Sequence, residues 1–585
     1  MFCNVVLGLL PVAFMCATSA AVALVSGAPA IAQDGPVGLF LGLALAALLL
    51  TGGLSPVQAM LGDRVARRVD NACSDRLMKA CLDAPYEMLE RPKTLDTLSD
   101  AHVGLESRTS TPGAAVAGTI ALIARYTQLA AAVVALVVTL GPLAGLVAVA
   151  TAAAARHGNR GALRRWSWLS GQFLPARRRY RYVHGVASDP AAGKEIRGLA
   201  ILPWLTRRAD TESDALLAPV WRHRHAVYLW PFIVLTAVLM AGSAVFMVLL
   251  VRSVTEGPVS PFALALAVQS LLVPLLFGVF FAESDVQTQL GSMSFACITE
   301  LEDRFAEAGG RTTSAGGRRI DDPGDLRLEG VHFRYPGQER DVLRGIDVTF
   351  PAGSSTAIVG LNGAGKTTLI KLLVKLYEPT AGRVTAGGMD LSDVDIQAWH
   401  RQMAVVFQDF TRYQLDAATN IQLGAPHRAG DTASVLAAAT AAGILPVLQG
   451  LPDGLRTPLA SRYAGGVDLS GGQWQRVALA RAVYAMEGGA SVLILDEPTA
   501  QLDVRSEAAF YDNFLNLTAG RTTIIISHRF STLRRADRIL VLADGRVVES
   551  GSHDELLRSG GRYAQMYRLQ SDPLAGEYVP AREST

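Results

Sequence analysis

The chain is poor in charge, in cysteine and in net electrostatic bias. Only 18% of its 585 residues are Asp, Glu, Lys or Arg, and the formal net charge is +2. A nucleic-acid-binding protein carries a strong basic field, so this balance argues against that class. The five cysteines show no metal-ligand spacing, and none follows Cys297. They are therefore interpreted as buried or membrane thiols, not as a disulfide framework or metal site.

What the chain has in excess is apolar sequence. Half of the residues are hydrophobic, the mean hydropathy is +0.27, and the excess lies almost entirely before Asp285. A chain of this length should form at least two domains. Because about 20 apolar residues cross a bilayer as a helix, six spans are predicted, near 4–26, 36–54, 114–139, 141–155, 226–251 and 262–283.

The distribution of Lys and Arg orients these spans. Residues 156–224 carry 14 of them and residues 63–110 carry eight, whereas the connection 27–36 and the Gly141-Pro142 turn carry none. Positive charge favours the cytoplasmic side, so the two long connections and the C-terminal half are predicted to be cytoplasmic. Arg125 lies inside the third apolar run. It either snorkels to the headgroups or lines a substrate cavity.

A phosphate-binding loop begins the C-terminal half. Residues 360–367 fit G-x-x-x-x-G-K-[ST], between the β-branched run 356–359 and a helical apolar pattern over 367–376. Glycines let the backbone approach phosphates, Lys366 supplies charge for the β- and γ-phosphates, and the Thr367 hydroxyl suits Mg²⁺. The residues predicted to bind ATP here are Gly360, Asn362, Gly363, Ala364, Gly365, Lys366, Thr367 and Thr368.

Two further runs make the pattern specific. Leu469-Ser470-Gly471-Gly472-Gln473 lies downstream of the loop, and Asp496-Glu497 ends the apolar run 492–495. Together with the loop, these runs resemble the ATP-binding cassette (ABC) family. The resemblance covers residues 326–570, and the chain looks like a half-transporter similar to bacterial peptide and multidrug exporters.

The resemblance implies roles for individual residues. Asp496, Thr367 and Gln408 would hold Mg²⁺, Glu497 would polarise the attacking water, and His528 would sense the γ-phosphate. Tyr335 matches the aromatic residue that stacks on adenine. In the family, cassettes work in pairs and one copy's serine-glycine run closes over the ATP of the other. Accordingly, Asp503 would cross between cassettes, and the partner's ATP would be bound by Ser470, Gly471, Gly472 and Gln473.

Two cytoplasmic segments resemble the regions of exporters that dock onto cassettes. These are Tyr86–Pro92 and the Lys194-Glu195-Ile196-Arg197 pattern, although a solvated charged helix face is the alternative for each. Gly465-Gly466-Val467-Asp468 resembles a pattern of peptide-exporting members.

The predicted architecture is a membrane domain of six helices with long cytoplasmic extensions, followed by an α/β P-loop domain. The predicted divisions are 1–308 for the membrane domain, 309–325 for a linker, 326–570 for the cassette and 571–585 for a disordered tail. The cofactors are ATP and Mg²⁺, and the partner is a second half-transporter, either a copy of this chain or a similar one.

The predicted function is ATP-driven export of a peptide or small amphipathic molecule across the bacterial cytoplasmic membrane by alternating access. The alternatives are a lipid flippase of the same architecture and an ATP-gated channel or regulatory protein. The intact Glu497 and His528 argue against the channel, since gating needs no hydrolysis.

Overall fold

The computed structural model describes residues 1–27, 36–107, 110–172, 174–190, 192–225, 229–256, 259–277, 282–309, 317–428, 430–498, 520–527 and 529–571. They form two compact units. The first comprises Met1–Leu82 and Pro92–Arg304. The second comprises Asp83–Arg91 and the described residues from Phe305 onward. The predicted tail beyond Ser571 lies outside the described residues.

The first part of the chain is helical. Its helices are α1 (Phe2–Gly27), α2 (Pro36–Asp83), α3 (Tyr86–Leu89), α4 (Pro92–Glu106), α5 (Pro112–Leu140), α6 (Pro142–Gln172), α7 (Leu174–Ser188), α8 (Gly193–Gly198), α9 (Leu202–Arg224), α10 (Trp230–Glu256), α11 (Pro261–Phe277) and α12 (Ala282–Gly309). The segment 86–92, predicted to dock, begins with α3 in the second unit and ends at Pro92 in the first. The Lys194–Arg197 pattern lies in the exposed helix α8 of the first unit.

Four of the described helices are long and apolar enough to cross a membrane: Phe2–Ser26, Val37–Asp83, Pro112–Leu140 and Trp230–Glu256. The first three correspond to the first, second and third predicted spans. Trp230–Glu256 corresponds to the fifth from residue 230 onward, and residues 226–228 lie outside the described ranges. The fourth predicted span lies in α6, and the sixth runs through α11 into residues 278–281, which are outside the described ranges. The chain is therefore a multi-pass membrane protein, and the count of six spans stays a prediction.

The helices of the first unit pack closely and leave many large apolar side chains exposed. Leu136, Ala144, Ala148 and Phe246 form a buried cluster where α5, α6 and α10 meet. Gly8 of α1 lies so close to α5 that an added Cβ would come within 2.5 Å of the Ala124 carbonyl oxygen. In contrast, much of α2 presents leucine side chains outward, which suits a helix surrounded by lipid.

The second unit is an α/β domain. Its strands are β1 (Leu326–Phe333), β2 (Leu343–Phe350), β3 (Ser355–Val359), β4 (Ala381–Ala386), β5 (Met389–Asp390), β6 (Met403–Val406), β7 (Val492–Asp496), β8 (Thr522–Ile526), β9 (Arg538–Ala543) and β10 (Arg546–Gly551). Its helices from residue 366 on are α13 (Lys366–Leu373), α14 (Ile396–Arg401), α15 (Ala417–Gln422), α16 (Thr432–Ala441), α17 (Leu445–Gln449), α18 (Gly471–Glu487), α19 (Phe530–Leu533), α20 (His553–Ser559) and α21 (Arg562–Ser571).

These strands form two sheets. The larger has the order β10-β9-β3-β8-β7-β6, in which all neighbours are parallel except β10 and β9. The smaller is antiparallel, with the order β2-β1-β4-β5. Strands β7 and β8 are buried along their whole length, as expected for parallel strands covered on both faces.

The alternation of side chains along β7 divides the core of this unit in two. Leu493 and Leu495 pack with the buried residues of α15 to α18. Val492 and Ile494 point to the other face and pack with β1, β2 and α13. The strand is therefore fixed from both sides, so the carboxylates at its end are held at a defined position.

Candidate active site

Two of the predicted catalytic residues, Glu497 and Gln408, lie with the P-loop at one edge of the larger sheet. The P-loop follows β3, Gln408 comes two residues after β6, and Asp496 is the last residue of β7. These strands are parallel, so their carboxyl ends lie on the same side of the sheet. Ligands of open α/β sheets bind at that edge, which makes it the candidate active site.

The P-loop requires glycine for steric reasons. Gly365, directly before α13, has a φ of +100°, and an added Cβ would lie 2.6 Å from Leu343 Cδ2. Gly363 has a φ of +81°. Both angles belong to the left-handed region that glycine adopts without penalty. The loop then leads directly into α13, whose first backbone N–H groups form an anion-binding terminus.

Lys366 is held inside this loop. Its ammonium donates hydrogen bonds to the carbonyl oxygens of Gly360 at 2.8 Å and Leu361 at 3.1 Å. The residue is only 7% exposed, and burial lowers the pKa of the ammonium. Its charge is therefore concentrated at the loop where phosphates are predicted to bind.

Thr367 and Asp496 form the candidate Mg²⁺ position. The Thr367 hydroxyl donates to Asp496 Oδ2 at 3.1 Å. Asp496 is 1% exposed, and its Oδ1 accepts no hydrogen bond from any described residue. Burial raises the pKa of this carboxyl, and the charge of Glu497 adds to the rise. An unsatisfied carboxylate oxygen beside a hydroxyl is the oxygen donor set that Mg²⁺ takes, so these residues fit the ion.

Glu497 is held in an unusual backbone conformation. Its φ is +51°, a region that costs free energy for any residue except glycine and that clusters at functional sites. The Glu497 N–H donates to the Ile526 carbonyl oxygen at 3.0 Å, and Gln475 Nε2 donates to the Glu497 carbonyl oxygen at 3.3 Å. Gln408 Nε2 donates to the Glu497 carboxylate at 3.1 Å. The structure thus brings Glu497 and Gln408 together.

The serine-glycine run caps a helix. Ser470 is the N-cap of α18 and takes part in a capping box: its hydroxyl accepts from the Gln473 N–H, and Gln473 Oε1 accepts from the Ser470 N–H at 2.8 Å. Such a helix start presents backbone N–H groups and a partial positive charge. Gly471 and Gly472 lie in its first turn. This arrangement suits the binding of an anion.

Tyr335 lies beside the P-loop helix in an aromatic cluster. Its hydroxyl shares a hydrogen bond with the Thr368 hydroxyl at 3.1 Å, and its ring meets the Tyr377 ring edge-on at 5.4 Å. The Tyr377 hydroxyl in turn donates to the Glu90 carboxylate, and its ring meets that of Tyr86 at 5.8 Å. The predicted adenine-stacking residue is therefore connected to the segment Asp83–Arg91.

Lys371 completes this cluster. Its ammonium lies 5.6 Å from the Tyr335 ring centroid and 5.5 Å from that of Tyr377, and it is 4.0 Å from the Glu90 carboxylate. Sequence reasoning missed both Lys371 and Tyr377. The available signal was a lysine and a tyrosine six residues apart after the P-loop, which is too common to interpret. His528 and Asp503, both predicted site residues, lie outside the described residues.

The part of the chain that forms this site is similar to known proteins. Residues 343–500 match the family model described as "ABC transporter". This match includes the P-loop, Gln408, the serine-glycine run and Asp496-Glu497.

Residues 343–500 form an ABC transporter domain. The chain is 42% identical over 283 residues to an ATP-dependent lipid A-core flippase of Burkholderia orbicola, a match to 48% of this chain and 45% of that protein. It is 45% identical over 257 residues to a protein of the same name from Ralstonia nicotianae, covering 44% of this chain and 42% of the relative. The chain thus matches less than half the length of these curated relatives.

The fold of the chain is similar to that of a solved ABC exporter. A solved bacterial Atm1-family ABC exporter with ATP bound superposes with a TM-score of 0.78 over 97% of this chain and 98% of that one. The sequences are 22% identical, so the likeness concerns the fold. The predicted succession of a helical membrane part and an ABC transporter domain is confirmed.

The buried carboxylate of the ABC transporter domain gives a prediction for stability. Because burial raises the pKa of Asp496 in the folded state, its ionisation costs folding free energy that grows as the pH rises above the ordinary carboxyl pKa and is complete above the folded-state pKa. Asp496→Asn removes this cost. We expect the melting temperature of the nucleotide-free chain in EDTA to rise by roughly 2–4 °C at neutral pH. The gain should shrink as the pH falls towards the ordinary carboxyl pKa, where aspartic acid is neutral in both states.

Differential scanning fluorimetry in detergent measures this shift, and the exposed Asp453→Asn is the matched control. The same Asp496→Asn protein should lose Mg²⁺-dependent ATP hydrolysis. If Asp496→Asn instead melted at a lower temperature than wild type at neutral pH, the ionised carboxylate would not destabilise the fold. The interpretation that Asp496 binds a ligand at the expense of stability would then be wrong.

Proposed function

We propose that this chain is one half of an ATP-driven exporter of amphipathic molecules across the bacterial cytoplasmic membrane. One observation carries the proposal: Lys366, Thr367, Asp496 and Glu497 converge at one sheet edge. They do so in a chain with an exporter fold and membrane-length helices.

Each residue has a separate task in hydrolysis. Lys366 and the backbone N–H groups of the loop would bind the β- and γ-phosphates. Mg²⁺, when bound, neutralises phosphate charge, and Thr367, Asp496 and Gln408 would hold it. Glu497 would orient and polarise the attacking water, with its carboxylate positioned by Gln408. Phosphoryl transfer needs positioning and charge stabilisation more than covalent catalysis, and this site supplies both.

A second copy of the chain would complete the site. The sequence contains one P-loop and one serine-glycine run. Ser470 is exposed and caps a helix whose first turn could bind phosphate. Every matched catalytic position carries the residue type that the chemistry needs, so we propose a homodimer with two equivalent ATP sites.

The substrate class can be tested directly. The names of the relatives support a lipid, whereas the Gly-Gly-Val-Asp pattern supports a peptide. In proteoliposomes, flipping of a fluorescent phospholipid is followed by its accessibility to dithionite, and export is followed as uptake of a fluorescein-labelled peptide into inside-out vesicles. ATP-dependent movement of either probe, absent in Glu497→Gln, supports the proposal. ATP hydrolysis without movement of either would count against it.

The hydrogen bond between Tyr377 and Glu90 gives a prediction about how ATP hydrolysis is coupled to transport. Tyr377→Phe keeps the ring contacts with Tyr335 and Tyr86 but removes the hydrogen bond to Glu90. We expect basal ATP hydrolysis to change by less than about threefold and transport per ATP to fall by about tenfold or more, since a hydrogen bond to a charged group contributes about 1.5–3 kcal/mol.

Transport and phosphate release are measured on the same proteoliposomes. Tyr484→Phe is the matched control, because its hydroxyl donates to the Arg428 carbonyl oxygen away from this cluster. Equal losses of hydrolysis and transport in Tyr377→Phe would show that the residue only supports the nucleotide site.

A further inference from the structure

Gln408 lies in a loop with little structure of its own. The Gln408 loop, residues 407–416, connects β6 to α15, and this fully described stretch contains no helix or strand. Phe410 is partly buried against the core, but Gln408 and most of the residues after it are exposed. Exposed loops move unless other parts of the protein hold them. The position of Gln408 beside the Glu497 carboxylate therefore depends on how both ends of this loop are anchored.

Asn420 of α15 anchors the far end of the Gln408 loop. The residue is fully buried. Its Nδ2 shares two N–H groups among three carbonyl oxygens, those of Tyr413 at 3.0 Å, Leu415 at 3.1 Å and Asp416 at 3.2 Å. Hydrogen bonds in a buried network are strong and directional, so this amide fixes the course of the backbone over residues 413–416.

Arg481 of α18 holds Asn420 and the loop together. Its Nε donates to the Asn420 carbonyl oxygen at 3.0 Å, and its Nη2 donates to Asn420 Oδ1 at 3.2 Å. The same guanidinium lies 4.8 Å from the centroid of the Tyr413 ring. Arginine can combine a flat contact with a ring and two directed N–H groups, and lysine cannot. One side chain of α18 thus contacts the loop through Tyr413 and its anchor through Asn420.

These contacts connect the Gln408 loop to the helix that begins at Ser470. Arg481 lies about three turns after Ser470 on α18. We propose that Arg481 is a positioning residue for Gln408, acting through Asn420 and Tyr413. It holds the far end of the loop so that the Gln408 amide meets Glu497. The effect on hydrolysis rests on the proposed function of these two residues, whereas the anchoring of the loop does not.

The first experiment measures the loop itself, on nucleotide-free full-length protein in detergent. Arg412 is exposed within the Gln408 loop, so trypsin should cleave after it faster when the loop is released. We expect Arg481→Lys to accelerate this cleavage by about three- to tenfold, the factor by which such hydrogen bonds change an equilibrium. Mass spectrometry of the fragment that ends at Arg412 gives the rate.

Tyr413 provides a second variant with less risk to folding, because it is 41% exposed. Tyr413→Leu removes the ring beneath the Arg481 guanidinium and should also accelerate cleavage after Arg412. Tyr413→Phe keeps the ring, so its cleavage rate should be that of wild type.

ATP hydrolysis then shows whether the anchor acts through Gln408. We expect Arg481→Lys to lower kcat by about tenfold, since misplacing a positioned group by about 1 Å can cost about 10²-fold. KM for ATP should change by less than about twofold, because the P-loop is unaltered. In a Gln408→Ala background, Arg481→Lys should lower kcat by less than about twofold further, because the group that it positions is already absent.

Arg428→Lys is the matched control. Its guanidinium also lies over a tyrosine ring, that of Tyr484 at 5.7 Å, but it donates to Asp431 and Ser434 instead of to Asn420. It should change neither the cleavage after residue 412 nor kcat.

Two outcomes would overturn the proposal. One is an equal loss of kcat from Arg481→Lys in the wild-type and Gln408→Ala backgrounds, which would make the role of Arg481 purely structural. The other is unchanged cleavage after Arg412 in the folded Arg481→Lys and Tyr413→Leu proteins. If both tests give the expected results but hydrolysis drives no transport, the proposed export function is wrong and the positioning role of Arg481 stands.

Discussion

Glu497→Gln should reduce ATP hydrolysis by about 10²- to 10⁴-fold, the range that a positioned general base contributes. The amide keeps the size of the side chain and can still meet Gln408, whose Nε2 lies 3.1 Å from the carboxylate. It cannot accept a proton from water or carry the negative charge that polarises it. ATP binding should therefore persist, because Lys366 and the P-loop backbone are unchanged.

Phosphate release and binding of a fluorescent ATP analogue, measured on the same purified protein, separate these two effects. Glu487→Gln, an exposed change at the end of α18, is the control and should retain wild-type turnover. An unchanged rate in Glu497→Gln would remove the residue from the mechanism.

The strained backbone at Glu497 makes a second variant informative. A φ of +51° is comfortable for glycine and costly for other residues. Glu497→Gly should therefore relieve strain while removing the carboxylate. Glutamate at this position strains the backbone, and we infer that its carboxylate is needed for the chemistry. Asp496, directly before it, is buried with an Oδ1 that accepts no hydrogen bond from any described residue, which is also unfavourable for stability.

Much of the second unit could be predicted from the sequence because its signals are local. The run at 492–495 is apolar at every position, as a buried parallel strand must be, and β7 is found at Val492–Asp496. The P-loop glycines predict left-handed backbone, and both Gly363 and Gly365 have positive φ. β1 begins at Leu326, where the strand-and-helix pattern starts. In each case a few consecutive residues carry the information.

Pairings between distant residues could not be predicted. Arg156 begins the basic connection 156–224, and Asp285 follows the sixth apolar run after Glu283. Only the packing of α6 against the end of α11 and the start of α12 makes them partners. Similarly, nothing in the chain indicates that Tyr86 and Tyr377 meet. Arg125 was left between two roles, and it lines a cavity of about 340 Å³.

If each ATP site is shared between two copies, the ATP hydrolysis of a heterodimer with two substitutions should depend on whether they lie on the same chain or on different chains. Lys366→Ala removes the phosphate charge of the P-loop, and Ser470→Arg places a bulky cation at the helix start that would meet the partner's ATP. Either homodimer should lose ATP hydrolysis by about 10²-fold or more, since removing one such electrostatic contact costs that much. Ser470→Arg should nevertheless still bind ATP, because its own P-loop is intact.

Differently tagged chains, purified as heterodimers through both tags, then distinguish the two geometries. A Lys366→Ala chain paired with a Ser470→Arg chain places both defects in one shared site and leaves the other site intact, so measurable hydrolysis should return. The doubly substituted chain paired with wild type is the matched control: it contains the same two substitutions, but each shared site then has one defect, and hydrolysis should stay low. If each P-loop instead worked with the serine-glycine run of its own chain, the control would keep one intact site and the mixed heterodimer none. The ranking of the two heterodimers therefore decides whether a second copy completes the site that Ser470 caps.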